Sequence, residues 1–179
     1  MDFNIMITTH RYKEEDAIQE AISLFNRLGD KKCEFVISQV SGIILGYTSL
    51  NQFEILPVFK NILMDEPWEF RYILRVIPIE YCIQTDLIMI RNQVEKIVEK
   101  KISPIESYRV TVEKRHTNLR RDEIISTVTK NLDQKVNLDR PEWIIMIQII
   151  GKFTGISVLR QDQIFNSILE KRNIGLRSQ

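Results

Sequence analysis

The chain has 179 residues, 44% of them apolar, and 25 Lys and Arg against 24 Asp and Glu, for a formal charge of +1. That supplies the core of one domain or two small ones and excludes a disordered chain. The longest apolar stretches, near Ile43 and Ile144, fall short of the roughly 20 residues of a membrane span, and Met1-Asp2-Phe3-Asn4 lacks the basic start of a secretory signal. A soluble, cytoplasmic protein is expected. Cys33 and Cys82 read as reduced core residues, and two cysteines with two distant histidines are too few for a metal cluster. With no Gly-rich phosphate loop either, no cofactor, metal or small-molecule substrate is expected.

Residues 3–9 alternate as a strand does, and residues 14–28 place Ala17, Ile18, Ala21, Ile22, Phe25 and Leu28 on one helical stripe that Gly29-Asp30 ends. Strands are expected at 33–40 and 42–48. A helix follows at 50–64, where Pro57 implies a late start or a kink, and then a strand at 68–79. Strand, helix, strand, strand, helix, strand is the order of a split ferredoxin-like domain, expected over residues 1–80 with both helices on one face of an antiparallel sheet. On its last strand Arg71 and Arg75, four apart, would share a face with Ile73 at about 13 Å separation. That spacing can track an RNA backbone or mark two solvated arginines.

Residues 80–85 read as a linker. The helix 86–102 turns Leu87, Ile90, Val94, Ile97 and Val98 inward, with Asp86 or Thr85 as its cap, and Ser103-Pro104 stops it. Tyr108 to Lys114 alternates as a half-buried strand and runs into Lys114-Arg115-His116-Thr117-Asn118-Leu119-Arg120-Arg121, after which Asp122 and Glu123 open a helix reaching 132. Pro141 fixes a turn before the run Ile144 to Ile150, which is too apolar for a strand wet on one side and reads as a central strand covered on both faces. Gly151-Lys152 turns the chain into a hairpin partner at 153–159. Ile164, Phe165, Ile168 and Leu169 recur at helical spacing, so a helical tail with a frayed end is expected, and residues 81–179 form the second domain.

Charge is unevenly divided. Residues 1–83 hold eight Lys and Arg against twelve Asp and Glu, whereas residues 84–179 hold seventeen against twelve. Basic charge gathered in one half suits a nucleic-acid binder with a separate supporting domain. The candidate phosphate contacts are Arg109, Lys114, Arg115, Arg120, Arg121 and Lys152, because a guanidinium fork grips two phosphate oxygens at once. A purely solvated turn is the competing reading. Trp143 fits a core anchor better than a base-stacking ring, Asp139 fits a turn former better than an acid catalyst, and His116 has no triad partner.

The succession of an arginine-bearing strand, a basic turn, a helix, Lys135-Val136-Asn137-Leu138-Asp139-Arg140-Pro141, a buried strand and Gly155-Ile156-Ser157-Val158 resembles the THUMP domain over roughly residues 85–160. Phe70-Arg71-Tyr72-Ile73-Leu74-Arg75-Val76-Ile77-Pro78-Ile79 followed by Cys82 is similar to the segment that leads into that domain in THUMP-only proteins related to the tRNA-acetylation adaptor of eukaryotes and archaea. The resemblance implies an α+β protein, with a ferredoxin-like domain (βαββαβ) followed by a THUMP domain (αβαββ). It also implies tRNA binding in tRNA modification and processing, with Arg115, Arg120, Arg121 and Lys152 at phosphates, Arg71 and Arg75 on the RNA-facing surface between the domains, and no catalytic residue. With Arg109 and Lys114 from the basic cluster, eight cations are expected at the RNA. In that subgroup the partner is a separate RNA cytidine acetyltransferase that makes N4-acetylcytidine. A detached RNA-binding subunit of a thiouridine synthetase or methyltransferase is the alternative, and a protein-interaction module with incidental basic charge a further one.

Overall fold

In a computed structural model that describes residues 3–177, the chain divides into two units. One runs through Pro78 and takes up the chain again from Asp162; the other is Ile79–Gln161. The expected leaderless start at Met1-Asp2 and the last two residues of the expected frayed end lie outside the described residues.

In the first unit β1 (Ile5–Thr8), α1 (Glu14–Arg27), β2 (Glu34–Ile37), β3 (Ile43–Tyr47), α2 (Ile55–Asp65) and β4 (Arg75–Pro78) follow in the expected order. Strand β1 pairs antiparallel with both β3 and β4, and β2 pairs with β3. The order β4-β1-β3-β2 is that of a ferredoxin-like sheet. Ile5, Ile7, Ile44 and Val76 meet Ala17, Ala21, Phe25, Leu56 and Phe59 in one core, so both helices cover one face. Gly29 ends α1 at φ 89°, which costs a glycine little, and lets the Asp30 amide reach the Phe25 carbonyl at 3.0 Å. Helix α2 starts late, with Pro57 in its first turn, where a missing donor costs nothing.

Two expectations fail in this unit. The strand expected at 68–79 shrinks to Arg75–Pro78, preceded by a 3₁₀ turn at Pro67–Glu69. Glu20 of α1 is the cause: its carboxylate accepts the backbone N–H groups of Arg71, Tyr72 and Ile73 at 2.9, 3.0 and 2.9 Å, so those donors are not available to a ladder. Arg71 and Arg75 are therefore not on one strand face, and Ile73 is wholly buried in the core instead of standing beside them. The tail also goes elsewhere than the second domain. β10 (Phe165–Asn166) adds to β4 as a fifth strand, and α5 (Ser167–Arg177) packs beside α2. Phe165 is fully buried, with ring centroids 5.8 Å from Phe59 and 4.8 Å from Phe70, whereas Ile168 and Leu169 are exposed. The helical spacing of those apolar residues was thus no stripe at all.

The second unit begins with a strand, not a linker. β5 (Tyr81–Gln84) pairs with β9 (Phe153–Leu159), and between them come α3 (Leu87–Lys101), β6 (Ser107–Arg115), α4 (Arg121–Thr129), the two-residue β7 (Lys135–Val136) and β8 (Trp143–Ile150). Asp86 caps α3 by accepting the Ile88 and Met89 amides at 2.9 Å. The sheet order is β5-β9-β8-β6-β7, with β6 parallel to β8 across the α4 crossover and β9 returning antiparallel. Ile145, Ile147 and Ile149 meet Ile90, Val94 and Ile97 of α3 and Ile124 of α4; Ile144, Met146, Gln148 and Ile150 are buried on the opposite face. The central strand covered on both sides is present as expected. Both cysteines are free thiols, partly buried, and no helix among the described residues is long and apolar enough to cross a membrane.

Candidate nucleic-acid interface

The parallel register of β6 and β8 decides which cations meet. It sets Arg115 opposite Ile150, so the basic turn after β6 and the Gly151-Lys152 turn after β8 leave the same end of the sheet. The Gly151 amide donates to the Arg115 carbonyl at 2.9 Å, and the Thr85 amide donates to the Lys152 carbonyl at 2.9 Å. Two turns and the start of α3 are thereby stitched around an open groove of about 700 Å³. Gln84, Asp86, Thr117, Asn118, Leu119 and Lys152 are among its walls.

Lys114, Arg120, Arg121 and Lys152 stand exposed at this end. Arg120 sits at the N-cap of α4, where the Glu123 carboxylate accepts its backbone N–H at 3.4 Å. A guanidinium has no acceptor to return the bond, so its side chain plays no part in the cap. Thr117 closes the turn by accepting the Leu119 amide at 3.3 Å, and His116 takes φ 53° in it. A left-handed residue there folds the turn back tightly. Asp86, the acid in the groove, is occupied by the two amides it caps.

The other four cations expected at the RNA are placed differently. Arg115 folds back onto the sheet: it donates to Glu113 at 2.9 Å and to the side-chain oxygen of wholly buried Gln148 at 3.2 Å. Arg109 lies six residues earlier on β6, about 20 Å away at a strand's rise, and donates to the Leu138 carbonyl at 3.4 Å and to Gln161 at 3.3 Å. Arg71 and Arg75 belong to the first unit, Arg71 with its Nε donating to the Trp68 carbonyl at 3.3 Å and Arg75 within β4. Four of the eight candidates are gathered and four are not. Trp143 packs partly buried against the second core, with the Arg160 guanidinium 4.2 Å from its ring centroid and Glu106 holding Arg160 at 3.0 Å, so it serves as the anchor its position implied.

Sequence reasoning missed Gln84, Thr117 and Asn118 as groove walls. None is charged or periodic, and only the β5–β9 pairing and the β6–β8 register bring them together. The short apolar run Tyr81-Cys82-Ile83, with an aromatic and a β-branched residue, was the available signal for β5. Among the described residues no group of His, Cys, Asp and Glu is arranged to hold a metal ion.

Residues 84–159 match the family profile of the THUMP domain. No curated protein sequence matches the chain. Among solved structures it is similar to PH1313 from Pyrococcus horikoshii Ot3, at 14% identity over 89% of this chain and 55% of that one, with a TM-score of 0.59. It is also similar to TrmN from Thermus thermophilus, at 15% identity over 86% and 44% with a TM-score of 0.57. A 4-thiouridine synthetase solved as an RNA complex with bound ATP follows, at 12% over 88% and 42% with a TM-score of 0.50. At such identities the likeness is one of fold, and this chain spans about half or less of each of those proteins. The chain thus carries a THUMP domain at residues 84–159, after a first unit with ferredoxin-like strand order.

Proposed function

We propose that this protein is a tRNA-binding adaptor, acting in the cytoplasm, that presents tRNA to a separate RNA cytidine acetyltransferase for N4-acetylcytidine formation. The observation that carries the tRNA half is the gathering of exposed Lys114, Arg120, Arg121 and Lys152 at one end of the THUMP sheet. Cations on two adjoining turns meet phosphates without sequence readout, which suits recognition of a folded RNA by shape and backbone. Each phosphate contact displaces counterions, so affinity on this reading falls steeply with salt. The acetyltransferase half rests on the resemblance of residues 70–82 to the adaptor subgroup.

A second reading is supported by the fold neighbours: an RNA-binding part of a thiouridine synthetase or a methyltransferase, since a 4-thiouridine synthetase–RNA complex shares the fold. One experiment separates them. Purified protein and tRNA are incubated with acetyl-coenzyme A, S-adenosylmethionine, or ATP and a sulfur donor, first alone and then with an RNA cytidine acetyltransferase. The adaptor reading expects modified cytidine only with the acetyltransferase present, and more of it than that enzyme makes by itself. Modification without added enzyme overturns the reading, as does an acetyltransferase whose output the protein leaves unchanged.

A further inference from the structure

The turn between β1 and α1 holds a tyrosine where such a turn calls for glycine. The Lys13 amide donates to the His10 carbonyl at 3.1 Å, so residues 10–13 form a β-turn with Tyr12 at its third position, and Tyr12 stands there at φ 65°. Glycine or asparagine takes that left-handed conformation at little cost, whereas a bulky side chain is strained in it. No packing offsets the strain, because Tyr12 is 91% exposed. The turn is pinned from the neighbouring Ser41-Gly42 turn. The Thr9 amide donates to the Gly42 carbonyl at 2.9 Å, and the buried Glu14 carboxylate accepts the Gly42 amide at 2.5 Å and the Ser41 hydroxyl at 3.1 Å. Hydrogen bonds from the backbone of Gly42, and then of Glu14 and Tyr12, hold that carboxyl below its usual range. Strain that the surrounding structure enforces at an exposed side chain points to a ligand.

The residues beside Tyr12 name the ligand. His10, Arg11 and Tyr12 are three successive planar side chains, all exposed, and unpaired bases stack on tyrosine and histidine rings and on guanidinium planes. An aromatic anchor for a protein sits in a well-packed, desolvated patch, and neither this turn nor the Ser41-Gly42 turn bonded to it supplies another large apolar side chain. Bulk charge is not what the turn offers. Glu14, Glu15 and Asp16 open α1 beside Arg11 and Lys13, and Asp16 meets Lys13 at 2.9 Å. With acids and bases nearly balanced, the tip presents stacking planes and no phosphate clamp.

We infer that the His10-Arg11-Tyr12 turn is a stacking platform for an unpaired RNA base, with the base on the Tyr12 ring. This rests on the tRNA reading and adds to it a contact made by the first unit. A labelled tRNA and a blunt RNA duplex are titrated with the parent chain, Tyr12→Phe and Tyr12→Gly at several salt concentrations. Tyr12→Gly weakens tRNA binding by about fivefold or more, and the slope of log affinity against log salt stays as it was, because stacking displaces no counterion. Its thermal midpoint is at least that of the parent, since glycine relieves the turn, and its affinity for the duplex equals the parent's. Tyr12→Phe keeps the ring and binds tRNA as the parent does. The inference is overturned if Tyr12→Gly binds tRNA as tightly as the parent, which would leave the ring to a protein partner. It is also overturned if that variant loses duplex affinity equally, if its midpoint falls, or if Tyr12→Phe loses as much as Tyr12→Gly. A parent chain that binds no tRNA defeats the tRNA reading as well, whereas a parent that binds while Tyr12→Gly binds equally defeats this inference alone.

Discussion

Segment 70–74 of the first unit and the turn 116–120 of the second each put an arginine beside the end of a strand, and the fold treats them oppositely. In the first, Glu20 reaches in from α1 and takes the amides, which removes the segment from the sheet and ties Arg71 to a neighbouring carbonyl. In the second, the turn closes on itself through Thr117 while Lys114, Arg120, Arg121 and Lys152 remain exposed. Which backbone donors remain for a sheet depends on acceptors that sequence does not display, such as Glu20, about fifty residues away.

The comparison can be broken at graded cost. The largest effect is expected from Phe59→Ala, since that ring is fully buried against Phe25, Phe70 and Phe165. About 3–5 kcal/mol should be lost in urea unfolding, with tRNA affinity kept under native conditions if the binding end belongs to the second unit alone. Glu20→Ala should cost about 1.5–3 kcal/mol, because three N–H groups lose a charged acceptor. Amide exchange at residues 71–73 should quicken, and unchanged protection there would contradict the role given to Glu20.

Asp30 supplies a pH test confined to the first unit. Burial pushes its carboxyl up, but the hydroxyls of Thr48 and Ser49 and the amides of Ser49 and Lys32 outweigh that and hold it below its ordinary value. A carboxyl lowered in the folded state stabilises above its unfolded pKa of about 3.9 and loses that contribution as pH falls through the folded value. Wild type should therefore lose more stability than Asp30→Asn between about pH 5 and pH 2. Parallel losses would contradict the assignment. The smallest effect is expected from Arg115→Ala, at about 1 kcal/mol for its bond to buried Gln148, with tRNA affinity nearly unchanged. A large affinity loss there would show that the arginine leaves Gln148 to meet RNA.

Much of the fold was legible in local pattern. The stripe of α1, the Asp86 cap of α3 and the largely apolar run of β8 each follow from neighbours within a few residues. What escaped was set at long range: the strand cut short by Glu20, β5 hidden in an apparent linker, and Phe165 returning to the first core from the far end of the chain. The site divides the same way. Lys114, Arg120 and Arg121 gather because they lie within eight residues of one another, and Lys152 because the hairpin brings its turn to the same end of the sheet. The bond of Arg115 to Gln148 was not legible because Gln148 lies on another strand, and Arg109 stands apart because six residues of strand carry it toward the other end of the sheet.

The most direct measurement is the salt dependence of tRNA binding by the parent chain and by the fourfold variant K114A/R120A/R121A/K152A. If these four cations hold phosphates, the slope of log affinity against log salt falls in the variant by about 0.7–0.9 for each contact removed. R109A should leave that slope in place. Equal slopes for parent and fourfold variant would contradict the placement of the RNA at this end of the THUMP sheet.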